Sequence, residues 1–188
     1  MKLRFLRKRL LLLLPASLLA LGAGAAPADA AVDMHLKFSN AIDGESTDTG
    51  HGKEVDVLAW SWGASRTSAT RSKAAGVALQ ELSFTKYVDR ASPKLLKALY
   101  DGSTIDSATL TANKAATPTT PYLRFCMSDV RVNSMSTGGS GGEDRFTENV
   151  TLGFRRLTFE YTPDSAVSPV FASYDLSSGS FTTNGCPS

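Results

Sequence analysis

The strongest constraint on the fold is a two-residue alternation of apolar and polar side chains that recurs in short runs along the chain. Leu123, Phe125 and Met127 share one face of the run 122–127, which leaves Cys126 with Tyr122 and Arg124 on the other. Val150, Leu152 and Phe154 alternate in the same way, and Leu157, Phe159 and Tyr161 resume the pattern one residue out of phase across Arg155 and Arg156. Successive side chains of a strand point to opposite faces, so these runs predict strands with one face in a core. The slip of phase predicts a bulge or a change of sheet at the arginine pair. Further strands are expected over 35–38, 55–63, 79–89 and 106–114. In the second of these, Leu58, Trp60 and Trp62 share a face, and the tryptophans read as the packed side of a sheet. Many short strands separated by turn residues predict a mainly β fold, a sandwich or a barrel.

One helix interrupts the strands. Ser92 is the expected N-cap, Pro93 sits where a helix needs no N–H partner, and Leu95, Leu96 and Leu99 make an apolar stripe. Gly102 tolerates the left-handed conformation that ends a helix. A helix this short has no stability of its own and is expected to pack on the sheets.

Residues 1–30 have the order of a secretory signal peptide. Lys2, Arg4, Arg7, Lys8 and Arg9 come first, then an apolar run from Leu10 to Leu21, then small residues up to Ala30. Cleavage is expected before Ala31. The run is about a dozen residues, whereas roughly 20 are needed to span a bilayer, so no membrane span is expected after cleavage. The leader carries five of the twenty Lys and Arg and one of the eighteen Asp and Glu, so its removal turns a formal +2 into −2. No basic stripe then remains to suggest a nucleic-acid partner. The length that is left fits one domain. Two cysteines remain, Cys126 and Cys186. In an oxidising compartment they can form one bridge, joining an internal strand to the C-terminal end; otherwise they stay as two thiols, Cys126 half-buried in its strand.

The polar glycine-rich stretch from Ser136 runs into the alternating strands as STGGSGGEDRFTENVTLGFRRLTFEYTP, ending at Pro163. It is preceded by DGESTDTGHGKEVDVLAWSWG (Asp43 to Gly63), LQELSFTKYVDRASPKLLKALYDG (Leu79 to Gly102) and ATLTANKA (Ala108 to Ala115). In these four ordered segments the chain resembles the haemolysin-coregulated protein (Hcp) family, the ring-forming tube subunits of type VI secretion. The likeness covers most of residues 31–174. It implies an Hcp-like β-barrel of two antiparallel sheets with one short helix packed alongside, and self-association into hexameric rings that stack into tubes. The organisation expected is a leader over 1–30, one barrel domain over 31–174, and a Ser/Thr/Gly-rich tail over 175–188. Usual tube subunits lack the leader. The loop with Arg66, Arg71 and Lys73 also departs from the family pattern; its charges either line a pore or keep the loop soluble.

Catalytic chemistry finds no support in the residues. His35 and His51 are the only histidines, and neither sits at metal-ligand spacing with a second His or Cys. Nothing resembles a nucleophile elbow. The run Gly138-Gly139-Ser140-Gly141-Gly142 is followed by Glu143 and Asp144, which repel a phosphate, rather than by the Lys-Ser or Lys-Thr of a phosphate loop. No catalytic, metal or cofactor-binding residue is therefore assigned. The loop from Asp43 to Lys53 reads by itself as a solvated turn. The resemblance implies instead an extended loop that reaches a neighbouring subunit, with Asp43, Gly44, Glu45, Ser46, His51, Lys53 and Glu54 as contact candidates. In the family the glycine loop and the strands after it belong to the barrel and its subunit contacts, which adds Gly141, Gly142, Glu143, Asp144 and Arg145. Two functions are compatible with all this: a non-enzymatic tube subunit whose rings stack and carry effectors alongside secretion-system components, or an exported Hcp-fold binding or assembly protein, in the periplasm or outside the cell, working apart from the contractile machine.

Overall fold

The computed structural model describes residues 32–68, 76–114, 121–163, 168–182 and 184–187; the leader over 1–30, Arg71 and Lys73 lie outside them. The described residues form β1 (Val32–Phe38), β2 (Val55–Ser61), β3 (Ala64–Thr67), β4 (Gly76–Leu79), β5 (Leu82–Tyr87), α1 (Ser92–Asp101), β6 (Ile105–Lys114), β7 (Pro121–Gly138), β8 (Thr147–Gly153), β9 (Arg156–Tyr161), β10 (Val170–Asp175) and β11 (Ser180–Thr182). Strands β7-β6-β1-β2-β5-β8 pair in that order, and β8 pairs again with β7, which closes a six-stranded antiparallel barrel. Off the other edge of β7 run β9, β10 and β11, while β3 and β4 form a separate two-stranded ribbon. The mainly β barrel with one short helix beside it is as the sequence led one to expect. No helix among the described residues is long and apolar enough to cross a membrane.

Alternation fills the barrel. Leu36, Val55, Leu82, Phe84, Leu110, Phe125, Val130, Val150 and Leu152 are none more than 1 % exposed. They come from all six strands, so a small barrel is packed solid by its inward side chains. The phase slip after β8 is a change of partners. Strand β8 pairs with β5 and the second half of β7, the chain crosses Phe154 and Arg155, and β9 then pairs with the first half of β7 and with β10.

Two local expectations are corrected. Leu58 does not share a face with Trp60: the register between β2 and β5 shifts between Val57 and Ala59, and Leu58 is the extra residue of that irregularity, 41 % exposed. Beyond it Trp60 and Trp62 turn inward and meet the Phe125 ring edge-on, at 4.9 and 5.6 Å between centroids. Ser92 is not the N-cap. That position is held by Ala91 with no side-chain cap, and Pro93 remains in the first turn. The far end is as expected, with Gly102 at a left-handed φ of 63°.

Ser92 is occupied elsewhere. Lys86 continues the inward row of β5 after Leu82 and Phe84 and is fully buried. Its Nζ lies 2.6 Å from Asp89 Oδ1 and 2.7 Å from Glu148 Oε1, and it donates to Ser92 Oγ at 3.0 Å and to the Tyr87 carbonyl at 2.8 Å. Ser92 Oγ in turn donates to Glu148 at 2.7 Å, and the Ala91 N–H donates to Asp89 Oδ1 at 2.8 Å. A buried cation is tolerated when it is paired and its protons are all directed at acceptors, as here. The cluster joins β5, β8 and the start of α1 at one point.

The sheet continues past β9 into the C-terminal segment: Asp175 closes β10, and Ser180–Thr182 pair back on it as β11. Cys126 and Cys186 are joined by a disulfide, with Cα atoms 5.7 Å apart. The Cys186 N–H donates to Glu160 Oε2 at 3.2 Å. The end of the chain is thus returned to the outward side of β7.

Two outcomes test this architecture. Lys86→Met leaves Asp89 and Glu148 buried without their cation, and at fixed protein concentration it lowers stability by about 3–5 kcal/mol, read as a fall in the urea midpoint. A fall below about 1 kcal/mol, the range of exposed ion pairs, would show that the cluster is solvated. For the Cys126→Ser/Cys186→Ser variant, releasing a loop of sequence separation 60 costs about 4 kcal/mol in the chain-entropy account; unchanged stability under oxidising conditions would count against the bridge.

Candidate subunit-contact site

The loop between β1 and β2 is built by its own backbone. The Gly44 N–H donates to the Lys53 carbonyl at 2.7 Å, Lys53 N–H to Ser46 at 3.2 Å, and Ser46 N–H to Glu54 at 3.0 Å. Two more bonds, His51 N–H to Asp48 O at 2.9 Å and Glu54 N–H to His51 O at 3.0 Å, close the tip. Gly44 is required by this approach, since a Cβ there would fall 2.3 Å from the Glu54 carbonyl oxygen. Gly50 turns the tip with φ 86°.

The folded loop is fastened to the barrel wall by two histidines. His35 is the outward neighbour of Leu36 on β1, yet it is only 2 % exposed, because the loop covers it. Its Nε2 lies 2.8 Å from Asp48 Oδ2 in the loop and 3.7 Å from Asp56 Oδ1, its register partner on β2. His51 from the loop stacks on the His35 ring, with centroids 4.1 Å apart and planes within 5°. His51 Nδ1 lies 2.8 Å from Glu54 Oε2, and its Nε2 is 2.7 Å from Asn113 Nδ2 on β6. With Nδ1 donating to the carboxylate and Nε2 accepting from the amide, the neutral ring is satisfied on both sides.

Of the residues expected at a contact, Gly44 and Ser46 are buried inside the loop, and Asp43, His51 and Glu54 are half-buried. Glu45 and Lys53 are exposed, together with the tip, residues 47–50. Glu45 lies 3.7 Å from the Arg90 guanidinium. The second segment, residues 141–145, is exposed throughout. Its turn carries Gly142 at φ 103°, Arg145 sits 4.3 Å above the Tyr87 ring, and the Phe146 carbonyl accepts from the Val88 N–H at 2.9 Å. Both segments therefore touch the stretch 87–90, which runs from the end of β5 into the connection to α1.

A cavity of about 630 Å³ lies on the outward face of β6, β7 and β9, bordered by the loop and by the C-terminal residues. Lys37, His51, Glu54, Arg124, Arg156 and Asn184 are among its walls. Both arginines are already paired: Arg124 Nε donates to Glu160 at 2.8 Å, and Arg156 to Asp175 at 2.8 Å. Hydrogen bonds from the Ser177 hydroxyl and N–H, and then from Arg156, hold the Asp175 carboxyl well below the usual carboxylate range. The walls offer polar contact rather than a nucleophile paired with a base. His35, Asp56, Asn113 and Arg90 were not among the expected contact residues. The only signal for His35 is a histidine in a strand followed by a polar loop; Asp56, Asn113 and Arg90 carry none.

The described residues thus form a closed antiparallel barrel with an ordered polar loop beside it and an outer sheet. Comparison with known proteins makes the assignment particular. The family described as "Type VI secretion system effector, Hcp" matches residues 35–161. Protein hcp1 of Pseudomonas aeruginosa is 45 % identical over 141 residues, which covers 72 % of this chain and 86 % of that protein. Among solved structures, Hcp1 from Salmonella typhimurium superposes with a TM-score of 0.71 at 33 % identity, over 81 % of this chain and 99 % of that one. A structure described as a type six secretion system protein gives 0.73 at 27 % identity, over 81 % and 100 %. The chain belongs to the Hcp family. It is a structural protein of the type VI secretion tube class, a fold known to assemble as hexameric rings, and proteins of this family are secreted by the type VI system.

Substituting Gly44 tests the built loop. Gly44→Ala is expected to force the loop off Glu54, seen as faster proteolysis between Ser46 and Lys53 with the melting temperature of the barrel little changed. Unaltered cleavage would mean that the loop is not held by this approach.

Proposed function

We propose that this chain acts as a non-enzymatic ring subunit whose exposed loop residues, Glu45, Lys53 and the tip 47–50, and whose turn 141–145 meet neighbouring subunits, with rings that stack and hold effectors in their lumen. The observation that supports this reading is that these polar groups stand exposed on backbone that is itself held in place, the loop by its own hydrogen bonds and the turn by the Phe146 carbonyl on the Val88 N–H. Head-to-tail contacts between two different patches close into rings when the rotation permits. Charged groups at such a rim set register and rate of assembly more than affinity. The buried members of the loop, Gly44 and Ser46, serve by shaping it.

Light scattering on the eluting protein tests the ring: a mass of six chains is expected at micromolar concentration, and Lys53→Glu with Arg145→Glu is expected to shift it toward single chains without lowering the melting temperature. A wild-type monomer would overturn the ring.

The leader-like residues 1–30 favour a second reading, an exported Hcp-fold protein working outside the contractile machine, since a tube that grows from the cytoplasmic side is not built from a subunit already exported. N-terminal sequencing after cell fractionation separates the two. A start at Ala31, in material whose export survives loss of the contractile apparatus, supports the second; an intact Met1 in the cytoplasm supports the tube.

A further inference from the structure

Three potential ligand atoms converge under the loop: His35 Nε2, Asp48 Oδ2 and a carboxylate oxygen of Asp56, all within 4.8 Å of one another. We propose that they form a site for a borderline divalent cation of the zinc class, which clamps the tip of the loop to a rung of the barrel wall. Bonds of about 2.0–2.2 Å set neighbouring ligands of a tetrahedral ion roughly 3.4 Å apart. The separations from Nε2, 2.8 Å to Asp48 and 3.7 Å to Asp56, bracket that spacing.

His35 is buried by the loop and presents Nε2 to both carboxylates. An ion on Nε2 leaves the imidazole proton on Nδ1, which has no hydrogen-bond partner, a cost that the ion's bonds to the three ligands have to offset. The stacked His51 fixes the plane of the ring, while its own nitrogens are engaged by Glu54 and Asn113. Asp48 and Asp56 each leave about half of the side chain in solvent, 57 % and 47 %, which gives the ion an entry path and room for water as a fourth ligand. Two carboxylates around a neutral imidazole supply the negative charge that a dication neutralises. One imidazole with two carboxylates favours zinc, cobalt or nickel over calcium and magnesium, which take oxygen ligands.

The three ligands come from separate places. His35 and Asp56 face each other across β1 and β2, and Asp48 comes from the loop. Binding an ion there ties the loop to the wall. Availability of the ion would then govern how firmly the loop is held, whatever the loop meets.

The test is a titration of the tag-free full chain with zinc chloride against a chromogenic zinc indicator. One zinc per chain is expected, and Asp48→Asn and Asp56→Asn, both at positions open to solvent, are each expected to weaken binding about tenfold or more. Zinc should also slow proteolysis between Ser46 and His51 in the wild type but not in Asp48→Asn, while calcium and magnesium do neither. Failure to take up zinc, equal affinity in both variants and the wild type, or protection of the loop by zinc in Asp48→Asn would each overturn the site and leave His35 and Asp48 as a metal-free hydrogen-bonded latch.

Discussion

The whole structure turns on β7. At 18 residues it is the longest strand described, and it serves two sheets in succession. Its first half pairs with β6 on one side and β9 on the other, and its second half pairs with β8 and closes the barrel. The change falls at Asp129, which adopts φ 52°, a left-handed conformation that aspartate tolerates better than most residues. Arg155, in the crossing between β8 and β9, pairs with the Asp129 carboxylate at 3.1 Å, and its backbone N–H donates to the Ser128 carbonyl at 3.0 Å. One bent strand therefore lets a sheet that has closed on itself still extend outward, and it is on that extension that the chain end is anchored.

Closure has a consequence for polar chemistry. A six-stranded barrel has no room for ligand inside; its lumen is filled by aliphatic and aromatic side chains. Polar chemistry is left to the ends and the outside. Lys86 with Asp89 and Glu148 occupies the inward row of β5 next to α1, and His35 with Asp48, Asp56 and His51 lies on the outer wall. The first joins helix to barrel, and the second joins loop to barrel. In each, one ionisable side chain, Lys86 or His35, is buried by chain that would otherwise stand free in water. The same contacts that hide it also order the segment that does the hiding.

The alternation of Leu123, Phe125 and Met127 made β7 legible, because one face packs in the core and the other does not. Its extension to Gly138 was not, since Ser134, Ser136 and Thr137 carry no apolar rhythm and are held by pairing with β8 rather than by burial. The slip at the arginine pair was readable for the same reason, but only as a bulge or a change of sheet; the pairing of β8 and β9 with different halves of β7 decides for the second. Leu58 misled because an irregularity of register leaves no mark on composition. Ser92 misled because its hydroxyl met a stronger demand: with Lys86 and Glu148 within 3.0 Å, capping the helix was the weaker use of it. His35 was visible as a residue but its partners were not, because pairing across β1 and β2 and folding of the loop bring together positions that are distant in sequence. The family resemblance supplied the assembly, which no pattern of residues in one chain encodes.

The C-terminal bridge bears on when this chain matures. Sulfur atoms joined in a disulfide persist in an oxidising compartment and are reduced in the cytosol. Both routes proposed for the chain end outside the cytosol, so the bridge is compatible with each, but they differ in order. A chain exported through a leader acquires the bridge before it meets other subunits. A chain that assembles in the cytosol and is then expelled does so with Cys126 and Cys186 as thiols, and its C-terminal residues are held by β11 and by weak contacts such as the 3.2 Å bond from Cys186 N–H to Glu160. Those residues border the cavity on the outward face of β7 together with the loop residues His51 and Glu54. Oxidation fixes one wall of that cavity, and the leader route fixes it before assembly begins.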